Sequence, residues 1–164
     1  DSLSGSIGVG LMVHKAYELA QQGKKLDEVV EYIESIKKDI VFYGTLDTLE
    51  NAIKGGRVNP IAGKLINALN FKVIIEISEG IVKPIDKARG ESNSMKKLFE
   101  RIKENISDVE NKIIVIGHSN CEDKAMKIAK NIEENYSFKK VIISSIGPVM
   151  GTYTSEGAIL IATL

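Results

Sequence analysis

The spacing of apolar residues divides the chain into alternating helical and extended segments. Apolar or small residues recur at helical intervals in the stretches 11–20, 29–36, 48–54, 61–69, 95–106 and 125–132. Continuous apolar runs, typical of buried strands, appear as "VFYGTL", "VIIEI", "IIVIG", "VIISS" and "AILIATL". Together with the hairpin described next, these runs predict an α/β domain with two layers, in which a mixed sheet of about six strands carries helices mainly on one face.

Two connections between the predicted strands can be inferred from the sequence. Glu79 and Gly80 separate two short extended runs, which is typical of a β-hairpin, and Pro84 favours an edge position for the second strand. In the last third, "KIIVIG", a helix through Ile132 and "KVIISSIG" follow one another, which predicts a parallel crossover.

Composition narrows the class of protein. The 164 residues suffice for one domain, 1–164, and 43% of them are apolar, so an adequate core can form. Lysine plus arginine and aspartate plus glutamate both total 22, so no overall field attracts nucleic acid. The apolar runs are far shorter than a bilayer span, which argues against stable membrane insertion. A single cysteine, Cys121, fits a reducing cytoplasm.

The segment "GHSNC" gives the chain its most enzyme-like motif. Ser119 follows a strand and precedes a helix, as the nucleophile of an acyl hydrolase does, but Cys121 stands where the second glycine belongs and no histidine follows in the chain. A Ser119-dependent hydrolase is therefore kept only as an alternative. His118 with Cys121 also suggests a thiol–imidazole pair or half of a metal site, but three histidine and cysteine residues in all are too few for a structural zinc site. The position of Cys121 near a helix N-terminus predicts a lowered pKa of its thiol.

Two polar segments are candidates for binding. Gly55, Gly56 and Arg57 follow a short predicted helix, where they form either a glycine helix terminus or a loop in which the guanidinium meets an anion. "GTYTSEG", residues 151–157, lies between two apolar runs, where it forms either a plain strand connection or a polar lip that faces a ligand. The residues themselves leave both choices open.

Four segments in this order resemble the DegV family of bacterial lipid-binding proteins: "DSLSGSIGVGLMV", "TLDTLENAIKGGRV", "LNFKVIIEISEGIVKPIDKARG" and "GPVMGTYTSEGAI". The resemblance covers essentially the whole chain. It implies a two-domain protein of about twice this length, and we expect the chain to be its second domain without the first, in agreement with a start at Asp1 and not at methionine.

The same resemblance implies a non-catalytic protein without a cofactor that binds a long-chain fatty acid and presents the carboxylate to a separate fatty-acid kinase. Arg89 is then expected to take part in kinase docking or phosphoryl handling. Residues expected to contact the head group or the hydrocarbon chain are Ser6, Arg57, Ile61, Leu65, Ile66, Leu69, Thr152, Tyr153 and Thr154.

Two departures from the family pattern bear on the head group. Tyr153 stands where the family generally has a histidine, and Ser155-Glu156 stands where it has Gly-Pro. The Tyr153 hydroxyl can donate a hydrogen bond but carries no positive charge near neutral pH, and Glu156 adds a negative charge. A regulatory or interaction domain that has lost lipid binding is therefore the other alternative.

Overall fold

The computed structural model describes residues 1–59 and 71–164, and within these residues it contains six α-helices and six strands. The helices span Ile7–Gln21 (α1), Leu26–Ile36 (α2), Glu50–Lys54 (α3), Glu91–Asn105 (α4), Glu122–Asn135 (α5) and Pro148–Thr154 (α6). The strands span Val41–Leu46 (β1), Phe71–Ser78 (β2), Ile81–Arg89 (β3), Ile113–His118 (β4), Lys140–Ser145 (β5) and Ile159–Thr163 (β6). None of these helices is long and apolar enough to cross a bilayer.

All six strands form one mixed sheet with the order β3-β2-β1-β6-β4-β5. Strands β4 and β5 pair in parallel through the α5 crossover, and every other pair is antiparallel. The α/β class, the six-stranded mixed sheet and the crossover are therefore confirmed.

The predicted hairpin is also present. Glu79 and Gly80 both have positive φ angles, 54° and 76°, as a two-residue turn between β2 and β3 requires. Strand β3 lies at the edge of the sheet, and its register with β2 shifts between Ile74 and Ile75, opposite Pro84. Because proline has no N–H to give to the ladder, it is tolerated at this irregular edge.

Helices cover both faces of the sheet. One apolar core joins α1, α3 and the partly buried side chains of α6 to the sheet, and a second core joins α4 and α5 to the opposite face. Three layers result, whereas the apolar spacing led us to expect helices mainly on one face. The physical reason lies in the central strands: every residue of Ile113–His118 and Ile159–Thr163 is buried, and a strand buried on both sides needs a cover on both sides.

The end of the sheet where the candidate site forms is fixed by register. Thr45 of β1 and His118 of β4 both lie opposite Ile159, the first residue of β6. Helix α3 follows β1 and helix α6 precedes β6, so both helices lie at this end of the sheet.

The predicted helix after Pro60, with its apolar stripe of Ile61, Leu65, Ile66 and Leu69, lies outside the described residues.

Candidate functional site

The polar segment 151–157 is mostly helical. Helix α6 begins with Pro148 in its first turn, and it ends at Thr154, because Ser155 adopts a φ of 65°. The plain strand connection that we kept as one alternative is wrong, because Gly151 to Thr154 form the last turn of a short helix, whereas the ligand-facing role stays a prediction. A helix directs the side chains of Thr152, Tyr153 and Thr154 to different sides of its axis.

The two threonine hydroxyls of α6 donate to the helix itself. Thr152 Oγ1 donates to the carbonyl of Pro148 at 2.8 Å, and Thr154 Oγ1 donates to the carbonyl of Met150 at 3.2 Å. Thr152 is exposed, whereas Thr154 is buried. Each hydroxyl proton is therefore used within the helix, which leaves the two oxygens as acceptors in this arrangement.

Tyr153 and Arg57 are brought together by the structure. Arg57 Cζ lies 5.0 Å from the centroid of the Tyr153 ring, and Arg57 Nη1 donates to the carbonyl of Gly55 at 2.8 Å. Gly55 allows the Tyr153 ring to approach this loop, because a Cβ there would lie 2.3 Å from Tyr153 Cε1. We call Gly55, Arg57 and Tyr153 the arginine cluster.

A hydrogen bond and apolar packing hold α3 against α6. Asn51 Nδ2 donates to Ser155 Oγ at 3.1 Å. Ile53, Met150 and Tyr153 are partly buried side chains that pack against the same core. The backbone of the arginine cluster is therefore supported from both helices, although the Arg57 side chain itself is exposed.

Ser6 lies at the start of α1. Its backbone has φ 45° and ψ −118°, a conformation that non-glycine residues rarely adopt. The preceding Gly5 contacts α6 so closely that a Cβ there would lie 2.5 Å from Met150 Cε. Ser6 therefore lies near one side of α6 and the arginine cluster near its C-terminal end.

Beside Ser6, an open groove of about 380 Å³ runs between α1 and strands β4 and β5. Val115 and Ile142, which are partners in the β4–β5 pairing, face Ile7 and Leu11 of α1 across it. Polar groups line the rest of the groove: Ser6, His14, Ser144 and Ser145. The apolar spacing of α1 indicated a buried face but gave no sign that part of this face borders an open groove.

A second groove of about 260 Å³ continues along α1 and shares Leu11 and His14 with the first. Glu18 lies in it, 3.3 Å from Lys15 Nζ and 3.8 Å from Lys139 Nζ. Burial alone raises the pKa of Glu18, but the two lysines outweigh it and hold the pKa below its ordinary value. The lining along α1 is therefore largely apolar in the first groove and charged in the second.

Arg89 stands apart from these features. It is the last residue of β3, it is exposed, and its carbonyl accepts a hydrogen bond from Asn93 Nδ2 at 2.9 Å. Strand β3 forms one edge of the sheet, whereas the groove beside Ser6 lies next to β5 at the other edge. Arg89 therefore belongs to a separate surface.

The hydrolase-like segment does not have the geometry of a nucleophile elbow. The backbone N–H and carbonyl of Ser119 pair with Ala158 and Gly157, and the residue with a positive φ is Asn120. His118 is buried and its Nδ1 accepts a hydrogen bond from the backbone of Cys121 at 3.4 Å. Burial raises the pKa of the Cys121 thiol, so the lowered pKa that we expected is wrong.

With this geometry established, comparison with known proteins identifies the class. The sequence model of the DegV family of uncharacterised proteins matches residues 1–164. The chain belongs to the DegV family.

Relatives and solved structures agree with this assignment. A DegV domain-containing protein of Clostridium perfringens is 30% identical over 162 residues, which are 98% of this chain and 56% of that protein. A DegV family protein of Ruminococcus gnavus, solved with vaccenic acid, superposes with a TM-score of 0.89 at 28% identity and covers 98% of this chain and 58% of its own. The Fatty Acid Kinase (Fak) B3 protein of Streptococcus pneumoniae, solved with linoleic acid, superposes with a TM-score of 0.89 at 26% identity, covering 99% and 57%. The chain therefore spans little more than half the length of these relatives.

Proposed function

We propose that the chain is the acyl-chain-binding domain of a non-catalytic, cytoplasmic DegV protein that binds a long-chain fatty acid. The observation that carries the proposal is the match of the whole chain to DegV proteins solved with vaccenic and linoleic acid. Because those relatives are longer, we propose that a second domain completes the protein and that residues 1–164 form one unit of it.

The arginine cluster supports the proposal at the head group. Arg57 is exposed, and no salt bridge pairs it with a carboxylate among the residues that the structure describes. A guanidinium with free N–H groups fits a carboxylate in two-pronged geometry. Ser6, Thr152, Tyr153 and Thr154 remain proposed contacts of the head-group region.

Apolar surface supports the proposal at the hydrocarbon chain. Each methylene removed from water contributes about 0.8 kcal/mol, so a long acyl chain needs an aliphatic surface and few polar groups. Ile7, Leu11, Val115 and Ile142 form the apolar part of the groove beside Ser6. We keep as further proposed contacts of the chain the side chains of Ile61, Leu65, Ile66 and Leu69.

A fatty-acid kinase is the proposed partner. The Streptococcus pneumoniae relative is named for such a kinase. The exposure of Arg89 at the sheet edge opposite to β5 supports its proposed role in docking. We expect Arg89→Ala to slow phosphorylation of the bound fatty acid, whereas the matched Arg101→Ala change on α4 leaves the rate unchanged.

Co-purified lipid tests the proposal. The natural gene product that contains this chain is purified from bacteria and denatured, and the released lipid is identified by mass spectrometry. We expect a long-chain fatty acid, and we expect added oleic acid to raise the melting temperature, because a ligand that binds only the native state stabilises it. Recovery of no fatty acid together with an unchanged melting temperature would reject the proposal and favour an interaction domain without lipid.

The hydrolase alternative has its own test. The purified protein is assayed with a chromogenic acyl ester before and after the change Ser119→Ala. We expect no rate above background in either case. A rate that Ser119→Ala abolishes would replace the binding protein by an enzyme.

A further inference from the structure

Tyr153 meets the loop of residues 55–57 through its ring. One face of the ring lies 5.0 Å from Arg57 Cζ, and the ring edge lies against Gly55, where a Cβ would come within 2.3 Å of Cε1 and 2.8 Å of Cδ1. Among the described residues, the Tyr153 hydroxyl has no hydrogen-bond partner. Tyr153 therefore contacts this loop through its ring.

The Arg57 guanidinium is consequently held from two directions. Nη1 donates to the carbonyl of Gly55 at 2.8 Å, while Cζ lies over the ring of Tyr153. A guanidinium has five N–H donors, and this arrangement uses one of them. A planar cation restrained in this way keeps donors for an anion and loses less conformational freedom when the anion binds.

The position of the ring is itself fixed by the fold. Tyr153 is half-buried against the core that α1 and α3 share, and the bond from Asn51 to Ser155 holds the two short helices together. Gly55 leaves room for the ring, because a Cβ at this position would collide with it. The Tyr153 ring therefore cannot leave Arg57 without disturbing this packing.

We propose that Tyr153 is a positioning residue that acts through the face of its ring, and that it makes the site select an ionised carboxylate over a neutral head group of the same chain length. This inference rests on the proposed function. It differs from the role expected from the sequence, in which the Tyr153 hydroxyl donates to the head group.

Comparing the binding of a fatty acid with that of the matching alcohol distinguishes a role of the Tyr153 ring from a role of its hydroxyl. Affinities for oleic acid and oleyl alcohol are measured by titration for the natural gene product and its variants. We expect Tyr153→Phe to keep the preference for the acid. We expect Tyr153→Leu to weaken acid binding about twofold to fivefold and to leave alcohol binding unchanged, and Arg57→Ala to weaken acid binding about tenfold or more.

A double variant and a control complete the experiment. Because Tyr153 acts through Arg57, Tyr153→Leu should add no further loss of acid binding when Arg57→Ala is already present. Tyr17 is an exposed tyrosine on α1, so Tyr17→Leu should change neither affinity. A loss of acid preference in Tyr153→Phe equal to that in Tyr153→Leu would assign the role to the hydroxyl and overturn the inference.

A second measurement needs no ligand. The ring current of Tyr153 should shift the side-chain NMR signals of Arg57 upfield in the unmodified protein and in Tyr153→Phe, and the shift should vanish in Tyr153→Leu. Arg57 signals at ordinary positions in the unmodified protein would overturn the inference even if fatty acid binds. If neither acid nor alcohol binds, the proposed function fails, and the NMR shift still decides whether the ring positions Arg57.

Discussion

Replacing Gly55 by alanine probes the contact between the helix α3 terminus and Tyr153. The backbone at Gly55 has φ −80° and ψ 0°, which alanine adopts without strain, so the change alters packing and not backbone geometry. The new Cβ would lie 2.3 Å from Tyr153 Cε1 and 3.2 Å from the carbonyl of Asn51. Tyr153 packs against the core and cannot simply move into solvent.

Two effects of opposite sign decide how much Gly55→Ala changes the free energy of unfolding. Overpacking of this kind costs about 1–3 kcal/mol, and the smaller entropy of the unfolded chain returns about 0.4–1 kcal/mol when glycine becomes alanine. We therefore expect Gly55→Ala to lower the free energy of unfolding by about 0–2.6 kcal/mol, as the difference of those two ranges. In a Tyr153→Ala background the collision is absent, so the same change should be neutral or stabilising.

Urea unfolding followed by circular dichroism measures all four proteins of this cycle. Gly56→Ala is the matched control: nothing lies within 4 Å of a Cβ there, but the φ of 71° makes alanine unfavourable, so its cost should be the same in both backgrounds. An equal effect of Gly55→Ala with and without the Tyr153 ring would refute the packing argument.

Two further predictions concern stability. Thr45 is fully buried and its hydroxyl has no partner among the described residues, so Thr45→Val should raise the free energy of unfolding by about 1 kcal/mol, whereas Thr152→Val on the exposed side of α6 should not. Burial alone raises the pKa of Asp86, but hydrogen bonds from Lys97 and from the Lys87 backbone hold it below its ordinary value of 3.8. The pair of Asp86 and Lys97 therefore stabilises the fold above about pH 4, and this stabilisation is lost as the pH falls further. Lys97→Met should accordingly lower the free energy of unfolding by up to about 1 kcal/mol at pH 7 and by progressively less below about pH 4. A cost that stays constant with pH in unfolding experiments would contradict the assignment.

The elements that the sequence predicts correctly are those with a local physical cause. The Glu79-Gly80 hairpin follows from two residues that tolerate positive φ, and the α5 crossover follows from a clear change of apolar period between "KIIVIG" and "KVIISSIG". Helix α6 is an element that the local sequence does not predict. Pro148 is a helix-start signal, but Gly151 and the residues that follow have low helix propensity, so contacts of Met150 and Tyr153 with the core stabilise a helix that the local sequence disfavours.

The candidate site was predictable by residue type but not by geometry. Arg57 and Tyr153 were identified as separate candidates, and their contact depends on α3 and α6 meeting at one end of the sheet. That meeting follows from β6 lying next to β1, which apolar spacing does not specify. The groove beside Ser6 has the same origin, because it forms only where α1 leaves part of the β4–β5 pair uncovered.

Because β6 lies in the centre of the sheet, a chain that lacks β6 cannot join the two portions of the sheet. Ile159–Thr163 follows every other strand in sequence, yet it is the only link between the β3-β2-β1 and β4-β5 portions of the described sheet. Until those five residues leave the ribosome, β1 and β4 each have an open edge of unpaired amide and carbonyl groups, which can pair with other chains. A premature stop a few residues before the end of β6 should therefore give two aggregation-prone half-sheets in place of a slightly shorter domain.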